Sequence, residues 1–282
     1  MPRQKKIAIC FLITADVSNP QVWEHWWAGN EDKISIYSHY SKGKEKNVTI
    51  PWLKKNRVRP VPTRWGDISL VNAEAELYKK AMKKKENKFF ILVSGTCIPV
   101  RTFKYVYNRL MRSPKKGIMT WFREDKYHVS DEDYAPFIKS SSCTPTLVNE
   151  NIIGSTLYSA QQWKVLSRPN AIDFAKMMKD KVYMKMFEKC IRVVPDSLAP
   201  DEFMFVNYLK NLHGNITKVM RSGSVTYVNF KGTAIHPITY FNFTPHLKRE
   251  VCDVGSLFAR KFPKYNKKLV DQIPALCGKC RR

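Results

Sequence analysis

The chain has 282 residues, of which 44% are hydrophobic, so it can bury a sizeable core and is not an intrinsically disordered polypeptide. Its formal net charge of +25 predicts attraction to an anionic partner, which could be nucleic acid, a membrane surface or a phosphate-bearing substrate. The basic residues are scattered in short runs along the sequence, which is typical of solvated surfaces. No apolar segment reaches the length of a transmembrane helix.

The first apolar segment and the cysteines bear on where the protein resides. Residues 7–13 follow a basic prefix, as in a signal peptide, but the polar Thr14 and Asp16 and the lack of a clear cleavage pattern argue against one. The seven cysteines are an odd set without framework spacing, so we expect mainly reduced thiols. These features predict a cytoplasmic protein.

The first elements in chain order predict a β-α-β unit. Residues 7–13 form an apolar strand, residues 23–27 a short helix with an aromatic face, and residues 34–39 an alternating second strand. A right-handed crossover would make the two strands parallel. Residues 47–62 are basic, polar and bounded by prolines, so we interpret them as a surface connection.

A helix–strand–helix pattern lies at the centre of the sequence. A helix over residues 70–85, with Ser69 as its N-cap, precedes the apolar run 89–93, and another helix follows over 103–111. The apolar run is typical of a strand buried on both faces of a sheet. Because ligands collect at the carboxyl ends of strands in α/β sheets, the loop 94–97 is a candidate ligand site.

The remaining elements complete an α/β fold. They are a strand over 118–122, an irregular loop over 123–146, a helical stretch around Trp163, helices over 172–192 and 203–212, and a strand over 225–230. No internal repeat or linker is visible, so we expect a single domain over residues 1–282. Its centre would be a mostly parallel mixed sheet flanked by helices.

The first candidate for chemistry is the acidic pair Asp201 and Glu202. Following Pro200 at a helix start, acids in the first turn satisfy the ordinary preferences of a helix N-terminus, so a purely structural role explains them. The helix is apolar on nearly every side, however, which places its first turn near the core. A carboxylate there is costly unless it is used or paired, and a partly buried Glu202 could act as a general base towards a hydroxyl.

The second candidate is the cation pair Arg260 and Lys261, which lies between aromatic residues. The two could be surface charges on a partly buried segment, or they could hold a diphosphate, which needs fixed positive charge in a packed frame. No G-x-G-x-x-G, P-loop or H-E-x-x-H motif occurs in the chain.

Eight short motifs, in order over nearly the whole chain, resemble those of the core-2/I-branching β-1,6-N-acetylglucosaminyltransferases and protein xylosyltransferases, glycosyltransferase family 14. These motifs begin at Lys6, Trp65, Leu92, Gly154, Pro200, Thr226, His236 and Leu257. The segment from Trp65 is similar to W-G-x-x-S-(L/M)-V-x-A-E, and the segment from Leu92 to L-(L/I)-S-x-x-x-(I/Y)-P. Each motif alone is weakly specific, but eight motifs in the order of the family form a specific signal.

The resemblance implies a GT-A-like fold and the inverting transfer of xylose or N-acetylglucosamine from a UDP-sugar to a glycan hydroxyl. In the family, the Glu of P-D-E is the base and the Lys of L-F-A-x-K-F contacts the leaving diphosphate, which assigns these roles to Glu202 and Lys261. The family works without a metal ion, so we expect metal-independent transfer and no cofactor beyond the UDP-sugar co-substrate.

The resemblance also implies the residues that surround the two substrates. The further donor or diphosphate contacts are Arg260, Ser94, Gly95 and Thr14, and the acceptor or sugar pocket comprises Trp65, Gly154, Ser155 and Asp201. The implied partners are a UDP-sugar and an oligosaccharide or glycoprotein glycan, with peripheral attraction to anionic surfaces and no nucleic acid.

Two residues depart from the family's pattern. Ile238 stands where some members have an Arg on the diphosphate, so Lys248, Arg249 or Arg260 would have to supply that charge, and Cys97 stands where many relatives have Asp. Eukaryotic members carry a membrane anchor, whereas this sequence starts at the catalytic domain. That start is expected of a soluble bacterial, protist or large-DNA-virus enzyme, in the last case acting in the host cytoplasm.

Two other functions are open at this point. A basic α/β protein could bind nucleic acid or another polyanion without catalysis, although clustered cations with interleaved aromatics are not visible. An inactive, carbohydrate-binding relative is the other alternative, and the retention of Glu202 and Lys261 argues against it. For an active enzyme, we expect the loop 123–146 to select the acceptor.

Overall fold

The computed structural model describes residues 4–123, 158–185, 187, 199–230 and 237–276, and its central feature is a six-stranded sheet. The strands of that sheet, from one edge to the other, are β2 (Ile34–Tyr40), β1 (Lys6–Ile13), β3 (Asn87–Ser94), β8 (Val165–Ser167), β5 (Gly117–Met119) and β9 (Met220–Ser222). A three-stranded sheet contains β10 (Thr226–Tyr227), β11 (Phe258–Ala259) and β4 (Ile98–Pro99), and an antiparallel two-stranded sheet contains β6 (Trp121–Arg123) and β7 (Tyr158–Ala160).

Helices cover both faces of the large sheet. They are α1 (Pro20–Trp27), α2 (Pro51–Lys55), α3 (Ser69–Met82), α4 (Phe103–Met111), α5 (Arg168–Met177), α6 (Pro200–His213), α7 (Pro245–Val254) and α8 (Lys267–Leu276). One apolar cluster joins the sheet to α3, α5 and α6 through residues such as Leu77, Phe174 and Phe203. A second cluster on the other face contains Trp23 of α1 and Phe103 of α4.

The predicted α/β class with a mostly parallel mixed sheet is confirmed. The strands β1 and β2 are parallel, as are β1 and β3 and also β5 and β9, whereas β8 is antiparallel to both β3 and β5. The apolar runs of β1 and β3 are buried because strands in the middle of a sheet with helices on both faces have no solvent-facing side.

The aromatic face of α1 ties the two sheets together. Trp23 is fully buried, and its ring stacks on Phe258 of β11 with ring centroids 5.7 Å apart. The indole Nε1 of Trp23 donates to the carbonyl of Cys97, 3.1 Å away, and that of Trp26 donates to the carbonyl of Arg101, 2.7 Å away. The loop after β3 and the strand β11 are therefore held against the same helix.

Several sequence predictions of local structure are wrong, and tertiary contacts explain why. Ser69 is the first residue of α3 and not its N-cap; its backbone N–H instead donates to the carboxylate of Asp67, 2.8 Å away. Trp163 lies in an irregular segment between β7 and β8 and not in a helix, because the chain directly after it pairs with β3. The predicted helix over 172–192 is divided: α5 runs from Arg168 to Met177, residues 181–185 and 187 are again helical, and residues 188–192 lie outside the described residues.

Three further boundaries differ from the predictions. The surface connection 47–62 contains the short helix α2, the strand over 118–122 is split into β5 and β6, and the strand over 225–230 is reduced to β10. The loop predicted over 123–146 lies outside the described residues beyond residue 123.

The cysteines divide into two groups. Cys10 and Cys97 are free and buried, as predicted. Cys252 is disulfide-bonded, so the expectation of mainly reduced thiols does not extend to this residue. In the described ranges, no helix is sufficiently long and apolar to cross a bilayer.

Candidate active site

The carboxyl ends of β1 and β3 form the floor of the candidate site. The register of the parallel pair places Leu12 beside Ser94, so Thr14 and Gly95 follow at the same edge of the sheet. The backbone N–H of Ser18 donates to the carbonyl of Gly95 at 2.8 Å and fixes the two loops against each other. The predicted donor residues Thr14, Ser94 and Gly95 are thus brought to one edge.

The strand β11 delivers the cation pair to this edge. It pairs antiparallel with β4, just after the loop 94–97, and the backbone N–H of Phe262 donates to the carbonyl of Thr96 at 2.9 Å. On the other side, the carbonyl of Lys261 accepts a hydrogen bond from the backbone N–H of Tyr240 at 2.8 Å. Arg260 and Lys261 therefore lie on a backbone that is anchored to the loop after β3.

The side chain of Arg260 is held over an aromatic ring. Its guanidinium carbon lies 4.7 Å from the ring centroid of Trp163, a cation–π contact. Trp163 is buried, so the ring is a fixed platform. The Nε atom of Arg260 is buried and has no hydrogen-bond partner in the described part of the chain. A buried donor of this kind is normally paired, which makes it a candidate contact for a ligand oxygen.

The acidic pair lies in the first turn of α6, as predicted. The helix begins with Pro200 and has no side-chain N-cap, so its first N–H groups are not satisfied by a capping side chain. The Oδ1 atom of Asp201 is buried without a hydrogen-bond partner among the described residues. Glu202 is partly buried beside it, and the two carboxyl groups repel each other when both are ionised.

Burial raises the pKa of Glu202 to about 7, and the neighbouring charge of Asp201 adds to this rise. The positive charges of Lys164 and Arg260 act in the opposite direction and favour the ionised carboxylate. Burial likewise raises the pKa of Asp201, and Lys164 again opposes the change. A carboxyl group whose pKa lies near neutrality can accept a proton and later release it, which a general base must do.

The structure places most of the predicted site residues at one edge of the sheet. Besides the three donor residues, it brings Asp201, Glu202, Arg260 and Lys261 to this edge. Trp65 lies on the turn before α3 with 75% of its surface exposed, so it is not packed among the buried residues of the site. Gly154 and Ser155 lie outside the described residues.

The structure also shows where Cys97 and the three candidate basic residues Lys248, Arg249 and Arg260 lie. Cys97 is buried under the site, where its Sγ atom lies 3.2 Å from the hydroxyl of Ser94, and burial raises the pKa of its thiol. Arg260 lies at the site, whereas Lys248 and Arg249 belong to α7.

Sequence reasoning missed three residues that shape the site: Glu74, Trp163 and Lys164. Glu74 lies four residues after Leu70 and four before Tyr78, so an acid on the apolar face of a helix was the available signal. The sequence around Trp163 and Lys164 gave no comparable signal, because both residues lie in an irregular segment just before the three-residue strand β8.

No group of three or more His, Cys, Asp or Glu side chains suited to a metal ion occurs in the described residues. Arg260 and Lys261 lie on the backbone at this edge and are candidates for meeting an anionic ligand.

The fold and the site define a class of protein. A carboxyl group of near-neutral pKa lies next to cations at the carboxyl ends of sheet strands, an arrangement suited to activating a hydroxyl beside an anionic leaving group. These are the features of a group-transfer enzyme.

Comparison with known proteins identifies the family. The model of the core-2/I-branching enzymes matches residues 7–257, so the chain belongs to that family. The glycosyltransferase BC10 of Oryza sativa subsp. japonica is 24% identical over 288 residues, covering 91% of this chain and 68% of the rice protein. The protein is therefore a glycosyltransferase, with a sugar donor and a glycan acceptor as its substrates.

Among solved structures, 4-diphosphocytidyl-2C-methyl-D-erythritol synthase of Anaerococcus prevotii is similar at 10% identity, covering 96% of this chain and 95% of its own. Its TM-score of 0.37 is too low to support an argument. The fold class stands on the sheet and helices of this chain.

Proposed function

We propose that the protein is an inverting β-glycosyltransferase that moves xylose or N-acetylglucosamine from a UDP-sugar to a glycan hydroxyl without a metal ion. The observation that carries this proposal is the environment of Glu202. Its pKa is raised to about 7 by burial, and it faces the positive charge of Arg260 at the edge where the loops after β1 and β3 meet.

We infer the following reaction from the chemistry of these groups. The carboxylate of Glu202 takes the proton of the acceptor hydroxyl, and the oxygen attacks the anomeric carbon of the donor sugar from the face opposite the diphosphate. The new carbon–oxygen bond forms as the bond to the phosphate oxygen breaks, which inverts the configuration. The electron pair leaves with UDP, whose added negative charge Lys261 and Arg260 stabilise.

The residues around the donor have complementary roles. The loops that contain Thr14, Ser94 and Gly95 meet next to the cations, so we place the nucleotide and its diphosphate over them. The unpartnered Oδ1 atom of Asp201 is available to a sugar hydroxyl. The exposed ring of Trp65 offers an apolar face for stacking on a glycan.

The proposed metal independence rests on the fixed positive charge at the site, which would stabilise the leaving diphosphate. Leaving-group charge must be met by fixed positive charge in every such transfer. The guanidinium of Arg260 is held over Trp163, so this charge is in place before the donor binds.

The test is a donor panel assayed in the presence of EDTA. The panel holds UDP-xylose, UDP-N-acetylglucosamine and UDP-glucuronic acid, and both UDP-sugar hydrolysis and UDP binding are measured. The variants are Glu202→Gln and Lys261→Ala. Glu31→Gln and Lys267→Ala are the matched controls, because both side chains are exposed; Glu31 lies before β2 and Lys267 starts α8.

The expected result is turnover of one donor with EDTA present. Glu202→Gln should abolish that turnover while UDP still binds, and Lys261→Ala should weaken UDP binding at least tenfold, with both controls unchanged. If Glu202→Gln retains full activity, the assigned base is wrong. If no UDP-sugar binds while polynucleotide binds in a salt-sensitive manner, the polyanion-binding alternative replaces this proposal.

A further inference from the structure

A buried ion pair connects three parts of the chain directly behind the acidic turn of α6. The Nζ atom of Lys164 lies 3.0 Å from Oε2 of Glu74 on α3, and both side chains are almost inaccessible to solvent, at 2% and 1% exposure. The same Nζ atom donates to the carbonyl of Gln162 at 3.0 Å and to the carbonyl of Asp201 at 3.4 Å. Lys164 thus contacts the residue immediately before Glu202.

Stability alone gives no reason for this pair. Removing two charges from water costs several kcal/mol per ion, and well-packed apolar residues often replace such pairs without loss of stability. The backbone of Lys164 is fixed by β3, since its carbonyl accepts from the N–H of Leu92 at 3.0 Å. The charge is therefore held at a set position relative to the sheet edge where the substrates meet.

The charges around Glu202 are unbalanced without Lys164. The charged groups that act on Glu202 are Asp201, Lys164 and Arg260. Those that act on Glu74 are Lys164 and Asp201, while Tyr78 and Cys10 lie near enough to be affected by its charge. Lys164 is the cation that acts on all three carboxyl groups, Glu74, Asp201 and Glu202, whereas Arg260 acts on Glu202.

We propose that Lys164, held in place by Glu74, is a positioning residue for the general base of the transfer reaction. It fixes the first turn of α6 through the carbonyl of Asp201, and its charge favours the ionised form of Glu202. This inference rests on the proposed role of Glu202. Lys164 touches neither substrate, so it acts only through the acidic turn.

The test is the pH dependence of kcat/KM for the donor that the wild type uses. The acid limb of that profile reports the protonation of the base in the free enzyme. Lys164→Met removes the charge and is expected to move the limb upward by about one pH unit, with UDP affinity unchanged. Lys164→Arg keeps the charge and should return the limb to within about 0.3 unit of the wild type.

Replacing both Lys164 and Glu74 with neutral residues distinguishes an effect on the base from a folding defect. The double variant Lys164→Met with Glu74→Gln removes both partners of the ion pair, so no charge is left at position 74 when Lys164 is lost, and its acid limb should still move upward. Lys176→Met is the matched control, because Lys176 forms an ion pair of the same 3.0 Å length with Asp173 on α5. Its pH profile should be that of the wild type.

The outcomes separate this inference from the proposed function. If Glu202→Gln is inactive and the acid limb stays in place in the folded Lys164 variants, Lys164 is a structural residue only and the inference fails. If Glu202→Gln is active, the proposed function fails and the inference with it. A shifted limb in the Lys164→Met variants, with rescue by Lys164→Arg, supports both.

Discussion

Replacing Glu202 with Gln should stabilise the folded protein at neutral and alkaline pH while abolishing activity. The ordinary pKa of this side chain is 4.5, and burial raises it to about 7 in the folded state. Between these two values the folded protein holds a proton that the unfolded chain has lost. Stability therefore falls as the pH rises through this window, and the loss is complete above pH 7.

The size of the effect follows from the two pKa values. A rise from 4.5 to about 7 corresponds to at most about 3 kcal/mol of lost stability above pH 7. Glu202 keeps some contact with solvent, which screens the charge, so we expect about 1–2 kcal/mol. Glutamine has nearly the same shape and no charge, so the variant avoids this cost.

Urea unfolding of wild type, Glu202→Gln and the surface control Glu31→Gln at a series of pH values from 4 to 8.5 measures the difference. The stability gain of Glu202→Gln should be near zero at the acid end, grow between about pH 4.5 and 7, and level off above. A gain that is the same at every pH would show that charge is not its cause. No gain at pH 8 would show that Glu202 is not buried as an ionised group.

Three further predictions concern the frame of the site. Gly117→Ala would place a Cβ atom 2.3 Å from the carbonyl oxygen of Val165, so it should lower the free energy of unfolding by about 1–3 kcal/mol, as measured by chemical unfolding. In Gly223→Ala the atom nearest to the new Cβ lies 3.6 Å away, so this variant should lower the free energy of unfolding much less. Trp23→Ala should lower the free energy of unfolding by about 3–5 kcal/mol, because the ring is fully buried and stacks on Phe258 of β11. A variant as stable as the wild type would contradict that packing. Asp16→Asn weakens the hydrogen bonds that the backbone N–H groups of Thr49 and Ile50 donate to the carboxylate of Asp16. This variant should raise the KM for the donor severalfold, with little change in Tm.

The candidate site was partly visible in the sequence. Glu202, Arg260 and Lys261 were predicted from their motifs, and the structure brings them to the edge where the loop 94–97 was expected. Lys164 was not predicted, because its partner Glu74 is 90 residues away in the chain and no local pattern links the two. The placement of Trp163 in a helix was wrong for the same reason, since the pairing of its neighbours with β3 overrides local propensity.

By itself, the sequence determined the main buried strands and the start of α6, but it did not predict the helices α2, α7 and α8. Long apolar runs fixed β1 and β3 as buried strands, and Pro200 with its acids fixed the start of α6, because these preferences act within one or two turns of chain. Only the tertiary structure decided which charges meet. The pairing of β8 with β3 carries Lys164 to the acidic turn, and the pairing of β11 with β4 carries Arg260 to the same edge. Charges at one site come from distant segments, so the proton affinity of Glu202 is a property of the assembled fold.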